Sequence, residues 1–286
     1  NEELRPKFIL VRQKLVNWGI FIVLSIIWGS SFMLMKIGMK EGDTYQLSPY
    51  QVASLRMIFA GLALLPFCYN ALKQIPKNKL FVVVLSGLMG SFIPAYLFCI
   101  AETKIDSALA GILNALTPLF TIIVGILFFN LKSNKQKVIG ILLGLVGLVL
   151  SVTAGKTLHF DNFSYSFFVV LATIFYGLNV NMVGSQMQNV SAINIAAAAF
   201  CFAMLPAGII LYTTGYFNYD FSNPALIQAT LAGGTLGVIN TSIASVLFYV
   251  LVKRAGIIFA STVTYAIPFV SLAIGLYYNE PIHPLR

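Results

Sequence analysis

Nine apolar runs of about twenty residues, divided by short polar connections, set the pattern of this chain. They lie at 17–39, 49–69, 80–101, 107–129, 138–154, 165–184, 192–213, 225–252 and 257–278. A hydrocarbon core about 30 Å thick takes roughly 20 residues of helix. In lipid every backbone N–H and C=O must be bonded internally, which only helices and closed barrels achieve. The runs lack the alternation of barrel strands, so the pattern predicts nine membrane-spanning helices. The first run follows Arg5, Lys7, Arg12 and Lys14 as a signal peptide would, but no small-residue cleavage site comes after it and Lys36 closes it. It is read as a retained span.

Composition widens the inference. Of 286 residues, 58% are hydrophobic and 9% charged, against about 25% charged in soluble domains, and the mean hydropathy is +0.87. Most of the surface therefore faces lipid, and no length remains for a soluble domain. A net charge of +9 would suit nucleic acid if it were clustered. Here the cations are scattered through the connections, so no nucleic-acid partner is expected and the charge is assigned to membrane orientation. Twelve of the 18 basic residues fall on one side of the spans: the four of the N-terminal tail, Lys73, Lys77, Lys79, Lys132, Lys135, Lys137, Lys253 and Arg254. The N-terminus is therefore expected in the cytoplasm of a bacterial cell, with the chain in its inner membrane. Cys68, Cys99 and Cys201 sit inside apolar runs without CxxC spacing; they read as packing residues, and no metal or cofactor is expected.

The chain also resembles itself. Shifted by 150 positions, Lys104 falls on Arg254, Ala110 on Ala260, Pro118 on Pro268, Gly125 on Gly275, Phe128 on Tyr278 and Gly87 on Gly237. Upstream the offset changes, with Trp28-Gly29-Ser30 on Tyr176-Gly177-Leu178 and Leu65-Pro66 on Leu205-Pro206. Two halves emerge, 1–155 and 156–286. Five spans per half would send the second half through the membrane in the opposite sense, as in many secondary transporters, and two exchangeable halves around a central site permit alternating access. The second half shows only four runs before Asn279-Glu280-Pro281, and the chain starts at Asn1 rather than Met. The expectation is a ten-helix protein whose tenth helix is missing from this sequence.

Several motifs resemble the drug/metabolite transporter superfamily, in its EamA-type branch. Trp28-Gly29-Ser30-Ser31-Phe32 followed by Lys36 is similar to the family's opening, and Pro49, Arg56 and Ala60 to its second-helix pattern. Asn114-Ala115-Leu116-Thr117-Pro118 and Thr264-Tyr265-Ala266-Ile267-Pro268, with Glu280-Pro281 behind the latter, resemble the ends of its two repeats. Asn130 stands where the family usually has Glu, so a role needing both acids is not carried over. The resemblance implies an all-α, ten-helix bundle that carries metabolites, often amino acids or related compounds and often outward. It also implies that helices three, four, eight and nine line a central cavity, with the first and sixth mobile.

Individual residues carry two readings each. Arg56 lies in the second span, where a charge costs roughly 2.5–3.5 kcal/mol; it either meets an anionic group of a solute or braces neighbouring carbonyls. Lys36 either snorkels to the interface or gates. Asn114 and Pro118 share a face, and the proline leaves a carbonyl unpaired one turn earlier; Thr264 and Pro268 repeat the arrangement. These are candidate site and hinge positions, or packing kinks. Asn179, Asn181 and Asn240 bond either solute or a neighbouring helix. Trp28, Tyr96, Tyr176 and Tyr265 are candidate aromatic walls, or packing residues. Gly140, Gly144 and Gly147, like Gly233, Gly234 and Gly237, read as close-packing stripes. No acid sits near a span centre, so a facilitator or exchanger is as reasonable as proton coupling. Both histidines, His159 and His283, lie in connections without metal-ligand or nucleophile–base spacing, which leaves a membrane enzyme with no chemistry. A receptor or channel would not explain two inverted halves. The reading is a secondary transporter of small organic solutes; no motif sets its oligomeric state.

Overall fold

The computed structural model describes residues 4–41, 44–45, 47–105, 107–153 and 163–277. Asp161, Lys156, His159 and everything from 278 onward, including Glu280, His283 and the expected place of a tenth helix, lie outside the described residues. Among those described, nine helical segments follow one another. They are α1 (Leu4–Met39), α2 (Pro49–Gln74), α3 (Lys77–Ala101), α4 (Ser107–Asn114 and Thr117–Phe129), α5 (Lys135–Thr153), α6 (Phe163–Gln186), α7 (Ala192–Thr213), α8 (Pro224–Ala255) and α9 (Ile257–Ser261 and Val263–Tyr277). Seven, α1 to α4 and α6 to α8, are long and apolar enough to cross a membrane by themselves. A two-stranded hairpin, Lys40–Glu41 with Thr44–Tyr45, links α1 to α2.

The apolar runs located every segment but not its interior. The 36 residues of α1 make a rod of about 54 Å, so its basic first third extends well past the apolar run. Ser48 and Gln51 form a capping box at the start of α2, satisfying two orphan donors reciprocally. Four segments expected as single helices are interrupted. In α3, a π-helical turn at Leu88–Phe92 precedes Pro94, which lacks an N–H and crowds the turn before it. In α8 the π-helical stretch Leu236–Ile243 follows Gly233 and Gly234 and contains Gly237, and Ser242 bonds back to the Val238 carbonyl at 2.5 Å; weak helix formers and hydroxyl back-bonding both loosen the ladder. In α4 the helix stops at Asn114 and restarts at Thr117, before Pro118. In α9 the break is at Thr262, whose hydroxyl bonds back to Phe259 at 2.7 Å. Asn130 takes a left-handed conformation, φ 51°, which short polar side chains tolerate. It closes α4 with the Leu131 N–H on the Gly125 carbonyl, a turn-forming part for a residue whose family counterpart is acidic.

Small residues set how closely the segments approach. The α2–α7 seam is the most extensive, built on the fully buried run Ile195–Phe200 of α7. Gly87 lets α3 lie on α7, since a Cβ there would stand 2.4 Å from that of Ala199; its repeat partner Gly237 lets α8 lie on α2, 2.6 Å from the Arg56 carbonyl. Gly29 and Gly177 behave alike. A Cβ on Gly29 would meet Val270 of α9 at 2.5 Å, and one on Gly177 would meet the Phe120 backbone of α4 at 3.0 Å. Phe120 and Val270 are themselves 150 apart. The packing map is therefore unchanged when segments one to four are exchanged for six to nine. The α5 stripe is different from the expectation: only Gly144 is packed, against Tyr265, while Gly140 and Gly147 have no atom within 4 Å of a would-be Cβ.

Cross-links sort the connections into two ends. Lys79 Nζ donates to Gln186 O at 2.8 Å, Lys253 Nζ to the carbonyls of Met187, Gln188 and Val190, and Arg254 Nε to Asn17 Oδ1 at 3.0 Å. Those groups share one end. At the other, Gln51 Nε2 donates to Thr214 O at 3.0 Å, joining the start of α2 to the end of α7.

Candidate functional site

A cavity runs between the two halves, with about 820 Å3 of non-atom space that is partly open to solvent. Its walls come from α1, α2, α3, α4, α6, α8 and α9. Segments α1 and α6, implied by the resemblance to be movers, contribute as much wall as α4 and α9.

Arg56 reaches in from α2. Its Nε donates to Thr241 Oγ1 on the α8 π-helical stretch at 2.6 Å, and no described residue accepts from its terminal nitrogens. Among the described residues, no Asp, Glu, Lys or His lines the cavity. The donors that a guanidinium keeps beyond one such bond have the fork geometry that pairs with the two oxygens of a carboxylate.

The amides serve mainly to join helices. Asn179 Nδ2 donates to Ser86 O at 2.7 Å and lies near Tyr249 Oη at 3.4 Å, and its side chain occupies the space that a Cβ on Gly90 would need. Asn240 Nδ2 donates to the Ile27 carbonyl, and the Asn240 carbonyl accepts from Trp28 Nε1 at 3.1 Å. Asn240 Oδ1 is buried and has no hydrogen-bond partner among the described residues. Asn181 sits away from the cavity, bonded to Thr121 O and Gly177 O. The Asn114 carbonyl expected to be unpaired accepts the Thr117 hydroxyl at 2.7 Å, so the Pro118 break exposes side chains rather than bare backbone. The aromatic wall is Trp28 tilted on Phe248 at 5.1 Å and Tyr176 stacked on Phe98 at 6.1 Å.

Seven of the nine candidate binding residues converge here: Trp28, Arg56, Asn114, Tyr176, Asn179, Asn240 and Thr264. Two do not. The Tyr96 hydroxyl pairs with Ser54 at 2.8 Å, and the ring lies among Phe92 and Tyr50. Tyr265 points the other way, its hydroxyl donating to Ile141 O on α5 at 2.7 Å. Lys36 follows the lining residue Met35 without lining the cavity itself. Of the hinge candidates, Pro118 adjoins its helix break, whereas Pro268 lies inside the continuous piece Val263–Tyr277.

The lining repeats. Gly90 and Ser91 correspond to Asn240 and Thr241, Phe98 to Phe248, and Asn114 to Thr264 at an offset of 150; Trp28 and Ser31 correspond to Tyr176 and Asn179 at 148. Both π-helical turns fall at matching positions. The family model described as the EamA-like transporter family matches the chain twice, over residues 17–153 and 163–286. The chain belongs to the EamA-like transporter family. This EamA-like transporter is a multi-pass membrane protein and is 26% identical over 268 residues to the uncharacterized inner membrane transporter YedA of Escherichia coli (strain K12), covering 92% of this chain and 83% of that one. A probable amino-acid metabolite efflux pump of Salmonella typhimurium is 24% identical over 133 residues, 46% of this chain and 42% of its own. A chain of known crystal structure shares the fold with a TM-score of 0.65 at 17% identity, covering 91% and 87% of the two chains.

Residues that the sequence did not single out complete the EamA-like cavity: Ser31, Gly90, Thr241, Ser245 and Tyr249 among them. The repeat held the signal. Asn179 moved back by 148 gives Ser31, and Asn240 moved back by 150 gives Gly90.

Proposed function

We propose that this chain is a secondary transporter of small organic anions, with amino acids or related carboxylates as the class, working by alternating access between two inverted halves. The observation that carries the reading is Arg56, among the described residues the one charged side chain lining the cavity. An unpaired charge at membrane depth is costly, and a carboxylate brought by the solute would neutralise it. The unpartnered Asn240 Oδ1 offers an acceptor for a donor on the same solute, such as an amino group, and the aromatic faces suit a partly apolar body. Export is the direction favoured by the likeness to a probable efflux pump. The twelve basic residues on one side support a cytoplasmic N-terminus, in a bacterial inner membrane.

Counterflow in proteoliposomes tests the reading with amino acids, aromatic carboxylates, nucleosides and sugar phosphates, each beside a neutral analogue. Carboxylates should exchange and their amides should not. Equal flux of acid and amide would refute an anion site. Since no described residue lining the cavity is an acid, exchange should persist when the proton gradient is collapsed. Orientation is checked separately by cysteines placed in a background free of Cys68, Cys99 and Cys201. Positions Lys77 and Lys135 should be protected from an impermeant reagent in intact cells, and Ser222 should react; the reverse pattern overturns the orientation.

A further inference from the structure

The broken start of α9 separates two spaces. Ser261 and Thr264 face the central cavity, whereas Thr262 and Tyr265 face a second, open cleft of about 1330 Å3 of non-atom space between α5, α9 and the ends of α6 and α8. We propose that this cleft binds an anionic phospholipid, with its phosphate at Lys132 and Lys137 and an acyl chain laid along α5 and α9.

Charge supports an anion at the mouth. Among the described residues the cleft is lined by Lys132, Lys137 and Lys253 and by no Asp or Glu. Lys253 is committed to the carbonyls of Met187, Gln188 and Val190, so it contributes potential rather than a free donor. Lys132 and Lys137 are exposed, and no described residue accepts from their ammonium groups. Basic pockets between transmembrane helices at the cytoplasmic face recognise lipid phosphates by such donors.

Depth and shape favour a lipid over a free anion. Phe259, on the rim, packs edge-on against Trp18 at 5.2 Å, and Trp18 is 52% exposed; tryptophan favours the membrane interface. That sets the mouth at headgroup level. From Ile257 to Tyr265 the wall descends about 12 Å, within one leaflet of a core about 30 Å thick. The floor is smooth because Gly140 meets nothing within 4 Å and Gly144 lies under the Tyr265 ring, while Ile141, Ile257 and Ile258 supply apolar walls. A free phosphate would use the mouth and leave the groove wet.

Native mass spectrometry of the full chain, purified with phosphatidylglycerol or with phosphatidylcholine of the same acyl chains, tests the proposal. Phosphatidylglycerol should be retained about tenfold better. The double variant Lys132→Gln, Lys137→Gln should fall to the phosphatidylcholine level, while Lys73→Gln, Lys77→Gln, two exposed cations flanking the α2–α3 connection, should keep the preference. Gly140→Leu, which adds a side chain to the groove where a Cβ would meet no atom within 4 Å, should reduce retention of both lipids. Equal retention of the two lipids, an unchanged preference in the Lys132/Lys137 variant, or retention of neither lipid would overturn the site. Displacement of the lipid by millimolar inorganic phosphate would mark it as a site for soluble anions and overturn the lipid assignment.

Discussion

Replacing Arg56 by Gln should weaken binding of the transported anion about 10- to 100-fold while leaving the purified protein near its normal melting temperature. The first part follows from the energy of a charge-assisted hydrogen bond, about 1.5–3 kcal/mol, with each 1.4 kcal/mol worth a factor of ten. The second follows from two opposing effects of similar size. Gln removes an intramembrane charge that costs roughly 2.5–3.5 kcal/mol at a helix centre, and it loses the 2.6 Å bond to Thr241, a loss of about 1–3 kcal/mol where the partner is left unsatisfied. They largely cancel. Arg56→Lys keeps the charge but not the planar fork, so a smaller loss, about 3- to 10-fold, is expected if the solute is held bidentately. Isothermal titration and thermal unfolding on the same preparations separate the roles. Normal affinity in the Gln variant would remove Arg56 from the binding site. A large fall in stability with every solute impaired alike would make it a brace between α2 and α8.

The membrane character of the chain, its repeat and its principal charge were legible because each is a coarse property. Runs of twenty apolar residues locate spans without any detail of their interior, and a charge inside such a run is conspicuous. What was not legible is which way a side chain points. In a soluble helix the apolar stripe marks the inside; in lipid both the outside and the packed interior are apolar, so the pattern is silent on facing. Thr264 and Tyr265 illustrate the consequence. They are neighbours, yet the first lines the central cavity and the second turns to α5, and nothing in the sequence around them separates the two. Tyr96 and Tyr176 differ in the same way, one taken up by Ser54 and the other open to the cavity.

The interruptions were partly hidden for another reason. Proline announces a break in the turn before it, and Pro94 and Pro118 both comply. The α8 interruption contains no proline, and its residues Leu236–Ile243 would serve equally well in an uninterrupted span. Only the repeat, which places Gly90 and Ser91 opposite Asn240 and Thr241, would have pointed from one π-helical turn to the other. The same symmetry explains why polar groups gather where they do, because each π-helical turn brings a small or polar pair to the cavity while the flanking turns remain packed.

If that symmetry is built into the packing, Gly29→Ala and Gly177→Ala should each destabilise the protein, by about 1–3 kcal/mol, the cost of overpacking a close contact. The two clashes differ in kind. The new methyl at 29 would stand 2.5 Å from the Val270 Cβ, and the one at 177 would stand 3.0 to 3.1 Å from backbone atoms of Phe120 and Thr121. Neither obstacle is the flexible end of a side chain, so the helices must separate rather than a rotamer change. Gly140→Ala is the control: it meets nothing within 4 Å and gains the helix propensity of alanine, about 0.5–1 kcal/mol, so its melting temperature should hold or rise. Val270→Ala added to Gly29→Ala should recover little, because it removes the Cγ1 contact at 2.6 Å but leaves the closer Cβ in place. Thermal unfolding in one detergent compares the four variants with the parent directly. Gly29→Ala and Gly177→Ala melting with the parent would show that α1 is not seated on α9, nor α6 on α4, as closely as the equivalent glycines require.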